Sequence, residues 1–193
     1  MAVTLETLID EVYTITNRPD LAAETKYAVI SATIKAHNTD EFIPDIVQVV
    51  TSPTYDADLD LYQIQLAEAP FVRLRKVLAV NTYPVQAPLQ VVEATNLFNT
   101  HGYLAQGIYY IAGQVLNIRD TRASQAFVTY LTRPDTADAT YSSWIADTAT
   151  DAIVYGAASI VFDLLGKADE KSRFSNLFVA TMQDVVANNI VGR

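Results

Sequence analysis

The stretch Ala36-His37-Asn38-Thr39-Asp40-Glu41-Phe42-Ile43-Pro44-Asp45-Ile46-Val47-Gln48-Val49-Val50 is where the chain changes its hydrophobic period. Upstream, Leu21, Thr25, Ala28, Val29, Ala32, Thr33 and Ala36 recur at the spacing of one helical face. Downstream, Ile46-Val47-Gln48-Val49-Val50 is short and β-branched, the composition of a strand. Pro44 cannot continue a helix, because it lacks an N–H and its ring clashes with the preceding turn. The pattern therefore predicts a helix that stops near Asn38, before Phe42-Ile43-Pro44, and strands from Asp45 onward.

Towards the N-terminus, Leu5, Leu8, Ile9, Val12 and Ile15 form the face of an earlier helix, with Thr4 as N-cap and Glu6 complementing the dipole. Asn17-Arg18-Pro19-Asp20 breaks it, and Pro19 reads as the first turn of the next helix. So short a connection implies an antiparallel helical hairpin.

Towards the C-terminus, strands are predicted at 62–66, 72–78, 90–92, 107–112, 115–118 and 126–131. Ser52-Pro53, Pro84, Pro88, His101-Gly102 and Gly113-Gln114 separate them, the last as a tight hairpin turn. Leu74 between Arg73 and Arg75 suggests alternation, with one wet or partner-facing side. Ser142 or Ser143 then caps a long helix whose apolar face is Trp144, Ile145, Ala149, Ala152, Ile153, Gly156, Ile160, Val161, Leu164 and Leu165, ending at Gly166. A last helix carries Phe174, Leu177, Phe178, Thr181, Met182, Val185 and Val186 inward, and Val191-Gly192-Arg193 reads as a frayed tail.

The predicted fold class is α+β: a helical bundle formed by N- and C-terminal helices, about 4–40 and 142–190. A small antiparallel β-rich subdomain, about 45–133, is inserted between them, within one domain spanning 1–193.

Half of the 193 residues are hydrophobic and 18% are charged, which is a globular composition. Apolar runs such as Ala152–Ser159 are too short to span a bilayer, and Met1–Glu6 lacks a secretory start, so neither membrane nor export is expected. Without cysteine, disulfides, thiolate metal sites and cysteine nucleophiles are excluded. The formal charge is −9 with a pI near 4.5, a balance that repels nucleic acid on average. Twelve acids against three bases in 1–70 give way to two against six in 71–133, which points to a middle segment facing a different partner.

No motif carries obvious chemistry. Asp56-Ala57-Asp58-Leu59-Asp60 imitates a calcium loop, but Leu61 and Ala67 stand where glycine and a bidentate glutamate belong, which leaves a solvated acidic loop. His37 with Asp40, Glu41 and Asp45 is the nearest approach to a metal set. No second histidine stands at ligand spacing, so His37 reads as a helix-end residue favoured by the dipole. His101 beside Gly102 reads as a turn residue. Gly156-Ala157-Ala158-Ser159 reads as a close approach of two helices. Arg73, Arg75, Lys76, Arg119, Arg122 and Arg133, with Tyr109, Tyr110, Phe127 and Tyr130 nearby in sequence, have the residue types of a nucleic-acid patch. A solvated face or protein interface suits an acidic chain better. No phosphate loop or nucleophile elbow is present. The expectation is of no enzyme, with no catalytic, cofactor-binding or metal residues and no cofactor.

The run Thr4-Leu5-Glu6-Thr7-Leu8-Ile9-Asp10-Glu11-Val12-Tyr13-Thr14-Ile15-Thr16-Asn17-Arg18-Pro19-Asp20-Leu21 resembles head-to-tail adaptor (connector) proteins of short-tailed bacteriophages. Glu24-Thr25, Ala32-Thr33, Ala36-His37, Asp40-Glu41-Phe42 and the Trp144-to-Gly166 helix with its amphipathic successor are similar too. The likeness covers both helical ends well and the β-rich middle loosely. It implies a virion structural protein at the head–tail junction, assembled in the host cytoplasm as a homo-oligomeric ring, commonly a dodecamer. Its implied partners are the portal protein above and a tail nozzle or tail tube protein below, with no membrane. Genomic DNA would pass through the ring without specific binding, and the C-terminal tail after Val186 would clasp the portal. Acidic side chains are then expected on the channel wall, with the basic middle segment turned to protein neighbours. The alternatives are a small carboxylate-based hydrolase using Asp56, Asp58 or Asp60, and a non-viral oligomeric binding protein.

Overall fold

The computed structural model describes residues 3–93 and 106–189. His101, Gly102 and Val191–Arg193, which figure in the expectations above, lie outside the described residues. The fold is α+β. The chain divides into two compact units, a helical one of residues 1–45 with 133–193, and a β-rich one of residues 46–132.

In the helical unit, α1 (Leu5–Thr16) starts at Thr4, whose hydroxyl accepts from the Thr7 N–H at 3.1 Å. It ends at Asn17, which takes the left-handed conformation at φ 53° and donates its N–H to the Tyr13 carbonyl. α2 (Ala22–His37) begins three residues beyond Pro19 and not at it. Arg18 holds Asp20 in the intervening turn through paired 2.7 Å hydrogen bonds, which also keep the Asp20 carboxyl below its usual range. One 3-10 turn, Ile43–Asp45, leads out of the unit.

The expected long helix after Ser143 is two helices, α3 (Trp144–Thr148) and α4 (Thr150–Leu164), broken at Ala149. The hydroxyls of Thr148 and Thr150, on either side of the break, bond to the carbonyls of Trp144 and Ala146. α4 closes in a Schellman motif. Gly166, at φ 69°, donates to the Asp163 carbonyl, and Lys167 donates to that of Phe162. α5 (Ala168–Asn189) follows, so the chain stays helical for three residues past Val186.

The core of this unit joins Leu8 and Val12 of α1, Val29 and Ala32 of α2, Ile153 and Val161 of α4, and Phe178 and Met182 of α5. Gly156 is where the helices close in. A Cβ there would stand 3.0 Å from the Phe178 ring and 3.1 Å from the Ala32 Cβ. Leu164 and Leu177, expected inside, are 60% and 37% exposed. The buried stripe of α5, Phe174, Phe178, Met182 and Val185, is narrower than its apolar face.

The β-rich unit contains β1 (Ile46–Thr51), β2 (Thr54–Asp56), β3 (Leu61–Gln65), β4 (Leu74–Thr82), β5 (Gln90–Val91), β6 (Ile108–Ala112), β7 (Val115–Arg119) and β8 (Ala126–Thr132). They form two sheets, ordered β1-β8-β4 and β2-β3-β7-β6-β5. The expectation of a wholly antiparallel insertion fails at one pair, since β5 runs parallel to β6. The turn Gly113-Gln114 joins β6 to β7 as predicted, with Gly113 at φ 61°. Register shifts between Leu74 and Lys76, and again between Val77 and Ala79, interrupt the alternation expected around Leu74. Strand β2 went unpredicted, being three residues long and ending in an aspartate. Ile64, Phe71, Val80, Leu116, Ile118 and Val128 form this unit's core.

Candidate functional site

The most ordered polar constellation lies inside the helical unit. His37 stands in the last turn of α2, the helix end where the sequence placed it, and is 2% exposed, so it is a core residue. Its Nδ1 faces both carboxylate oxygens of Asp45 at 3.0 and 3.1 Å, and its Nε2 lies 2.9 Å from Ser143 Oγ. Asp45 Oδ1 also accepts from Trp144 Nε1 at 2.8 Å. The indole packs edge-on against His37 and Phe42. Tyr141, just upstream, shares a 2.8 Å hydrogen bond with Thr33, and burial pushes its phenol pKa up.

Aspartate, histidine and serine in this order repeat the geometry of a hydrolytic triad. Catalysis also requires that a substrate carbonyl reach the serine oxygen, and Ser143 is 3% exposed. Ser143 Oγ is moreover the N-cap of α3, accepting from the Ala146 N–H at 3.2 Å. The cluster therefore ties the end of α2, the 3-10 turn and the start of α3 together.

Two adjoining grooves open on the surface of the same unit. One, of about 380 Å³, is lined by Phe178, Val179, Met182, Gln183 and Val186 of α5 together with Thr39. The other is lined by Ser31, Ile34 and Lys35 of α2 with Asn38 just past its end, and also reaches Thr39. The Lys35 ammonium sits 4.9 Å from the centre of the Phe178 ring. Val179 is 49% exposed and Tyr27, on α2, 66%. From Phe174 to Asn189 the helix carries a single charged residue, Asp184. An exposed helical face ordinarily carries charge, and its depletion is a mark of protein contact.

No family model and no curated protein matches the chain.

The remaining sequence candidates are dispersed. Asp56 Oδ1 accepts from the N–H groups of Asp58 and Leu59, so it closes the turn between β2 and β3. Asp60 accepts from the Tyr55 hydroxyl at 2.8 Å and lies 3.9 Å from Arg119. The acidic run is thus a hydrogen-bonded turn. Among the described residues no group of three or more histidines, aspartates or glutamates could hold a metal ion. Of the residues weighed with His37 as a metal set, Asp45 meets it, in a hydrogen-bond network that also takes in Ser143.

Several of the basic residues and aromatics are buried or paired. Arg119 is 3% exposed, and Arg122 is paired at 2.7 Å with the buried Asp120. Tyr109 and Tyr130 are buried in the β-rich core, where burial raises their pKa values, and Tyr130 donates to the Pro70 carbonyl.

The Ser143–His37–Asp45 link was invisible in sequence, because its members are separated by 106 and 8 positions and match no motif. The groove left one legible signal, the scarcity of charge after Arg173.

Proposed function

We propose that this chain is a bacteriophage head-to-tail adaptor, a virion structural protein that forms a ring beneath the portal and joins it to a tail nozzle or tail tube. The observation that carries this reading is the charge-poor, partly apolar outer face of α5 with its groove, in an otherwise acidic unit. The helical unit holds sixteen acids against eight bases, whereas the β-rich unit holds six against five. A strongly acidic body with a charge-depleted strip suits a molecule that binds protein along that strip and repels the passing polymer elsewhere. The likeness of Thr4–Leu21 to adaptor proteins supports the same reading. In it the ring, commonly twelve subunits, surrounds the DNA exit channel with acidic side chains towards DNA, and the chain performs no catalysis.

The test is to incubate the purified chain with the portal protein of the phage whose genome encodes it and weigh the products by native mass spectrometry. A discrete portal species carrying a full ring of this chain is expected. Absence of any complex across a range of salt and concentration overturns the proposal.

A further inference from the structure

A polar cavity of about 260 Å³ opens in the β-rich unit, and its walls come from one contiguous stretch, residues 51–71. The end of β1, the start of β2, the strand β3 and the turn that follows it surround the space. Pairing fixes these walls. Thr54 stands opposite Gln63 in the antiparallel β2–β3 ladder, and the Gln63 side chain donates to Asn117 Oδ1 at 3.3 Å. Past β3, Leu66 donates its N–H to the Gln114 carbonyl at 2.8 Å, and Phe71 donates to that of Glu68 at 2.7 Å, which closes the turn. The Tyr130 hydroxyl donates to the Pro70 carbonyl, and the buried Phe71 ring packs 5.3 Å from that of Tyr130. The turn is therefore tied to β8 and to the β6–β7 hairpin. A cavity preformed in this way spares a small ligand the cost of ordering its site.

The chemistry of the lining selects a class of ligand. Thr51, Ser52 and Thr54 bring hydroxyls, and Gln63 and Gln65 bring carboxamides. Each of these groups both donates and accepts, as the hydroxyls of a sugar do. Among the described residues of the lining, Glu68 is the one charged group. An ionised carboxylate only accepts, so a ligand must offer it donors. Two vicinal hydroxyls do so without bringing a charge of their own, and such hydrogen bonds are charge-assisted. A phosphate or carboxylate ligand would instead meet that negative charge with no lining cation to offset it. Ala69 and Phe71 add an apolar part on which the C–H groups of a ring can lie. The volume falls below the roughly 300–1,000 Å³ of drug-sized sites, which suits a single ring.

We infer that this cavity binds one neutral hexopyranose unit, with Glu68 accepting from a vicinal pair of its hydroxyls and Gln65 bonding to a third. The inference stands apart from the adaptor reading. Its test needs no portal protein, so its failure leaves that reading where it was.

Saturation-transfer difference NMR on the full chain tests it, with the methyl glycosides of D-glucose, D-galactose, D-mannose and N-acetyl-D-glucosamine as probes. Transfer to the ring protons of at least one is expected, with a Kd of about 1–10 mM. Glu68→Gln keeps the shape, removes the charge and should weaken that binding about tenfold. Gln65→Ala should weaken it as well. Both residues are exposed, so the two variants should melt with the parent. Asp58→Asn, exposed and outside the lining, should bind as the parent does. Absence of transfer to all four glycosides at about 50 mM overturns the inference. So does binding that Glu68→Gln and Gln65→Ala leave unchanged. Displacement of the sugar by an equal concentration of n-butylammonium chloride overturns it too, by assigning Glu68 to a cation.

Discussion

The indole N–H of Trp144 donates to the buried carboxylate of Asp45 across 2.8 Å, joining residues 99 positions apart. Asp45 is the last residue of the helical unit before the chain departs into its β-rich insertion, and Trp144 opens the first helix after its return. The contact therefore fastens both connecting segments to the helical core, alongside His37.

Asp45→Ala should destabilise the helical unit by about 3 kcal/mol, because it leaves the Trp144 and His37 ring nitrogens buried without their acceptor. Trp144 is the only tryptophan, so its fluorescence reports the event directly. A lower urea midpoint with a red-shifted native emission is expected, and an unchanged midpoint would contradict the fastening role.

Ser143 should resist a fluorophosphonate serine probe in the native state, since it is 3% exposed. Ser143→Ala should cost about 1 kcal/mol of stability through loss of the α3 cap and leave portal binding intact. Labelling of the native chain that disappears in this variant would instead reveal a working nucleophile.

Gly156→Leu should destabilise by about 3 kcal/mol through overpacking. The new side chain would enter the space where the Ala32 Cβ and the Phe178 ring already approach to 3.1 and 3.0 Å. Thermal melting compared with a surface control such as Ala180→Leu checks it.

Arg122 hydrogen bonds hold the Asp120 carboxyl below its usual range. The folded pKa is thus lower than the unfolded one. The resulting stabilisation is complete above the unfolded value of about 4 and is lost as pH falls through the folded value. Arg122 is more than half exposed, so Asp120→Asn should cost only about 1 kcal/mol near neutrality. Urea midpoints measured at falling pH should converge for the two proteins below about pH 4.

Val179→Lys should leave the melting temperature unchanged, because the residue is half exposed, and should abolish portal binding by placing charge on the α5 strip. Retained binding would move the contact to another face and remove the main support for the adaptor proposal.

The sequence by itself determined most of the helices and strands, β2 and the division of α3 from α4 excepted, because period and punctuation are local properties. The buried face of α2 matches its predicted residues, and the Gly113-Gln114 hairpin and the Gly166 cap fall where turn chemistry puts them. Apolar periodicity alone runs through Ala149, where the structure divides α3 from α4. Only the tertiary structure decided the rest. It drew Ser143 to His37, ran β5 parallel to β6, and set a groove along α5. Hydrogen-bond partners and grooves depend on which distant segments meet, and that is set by the summed packing of a core that no short stretch encodes.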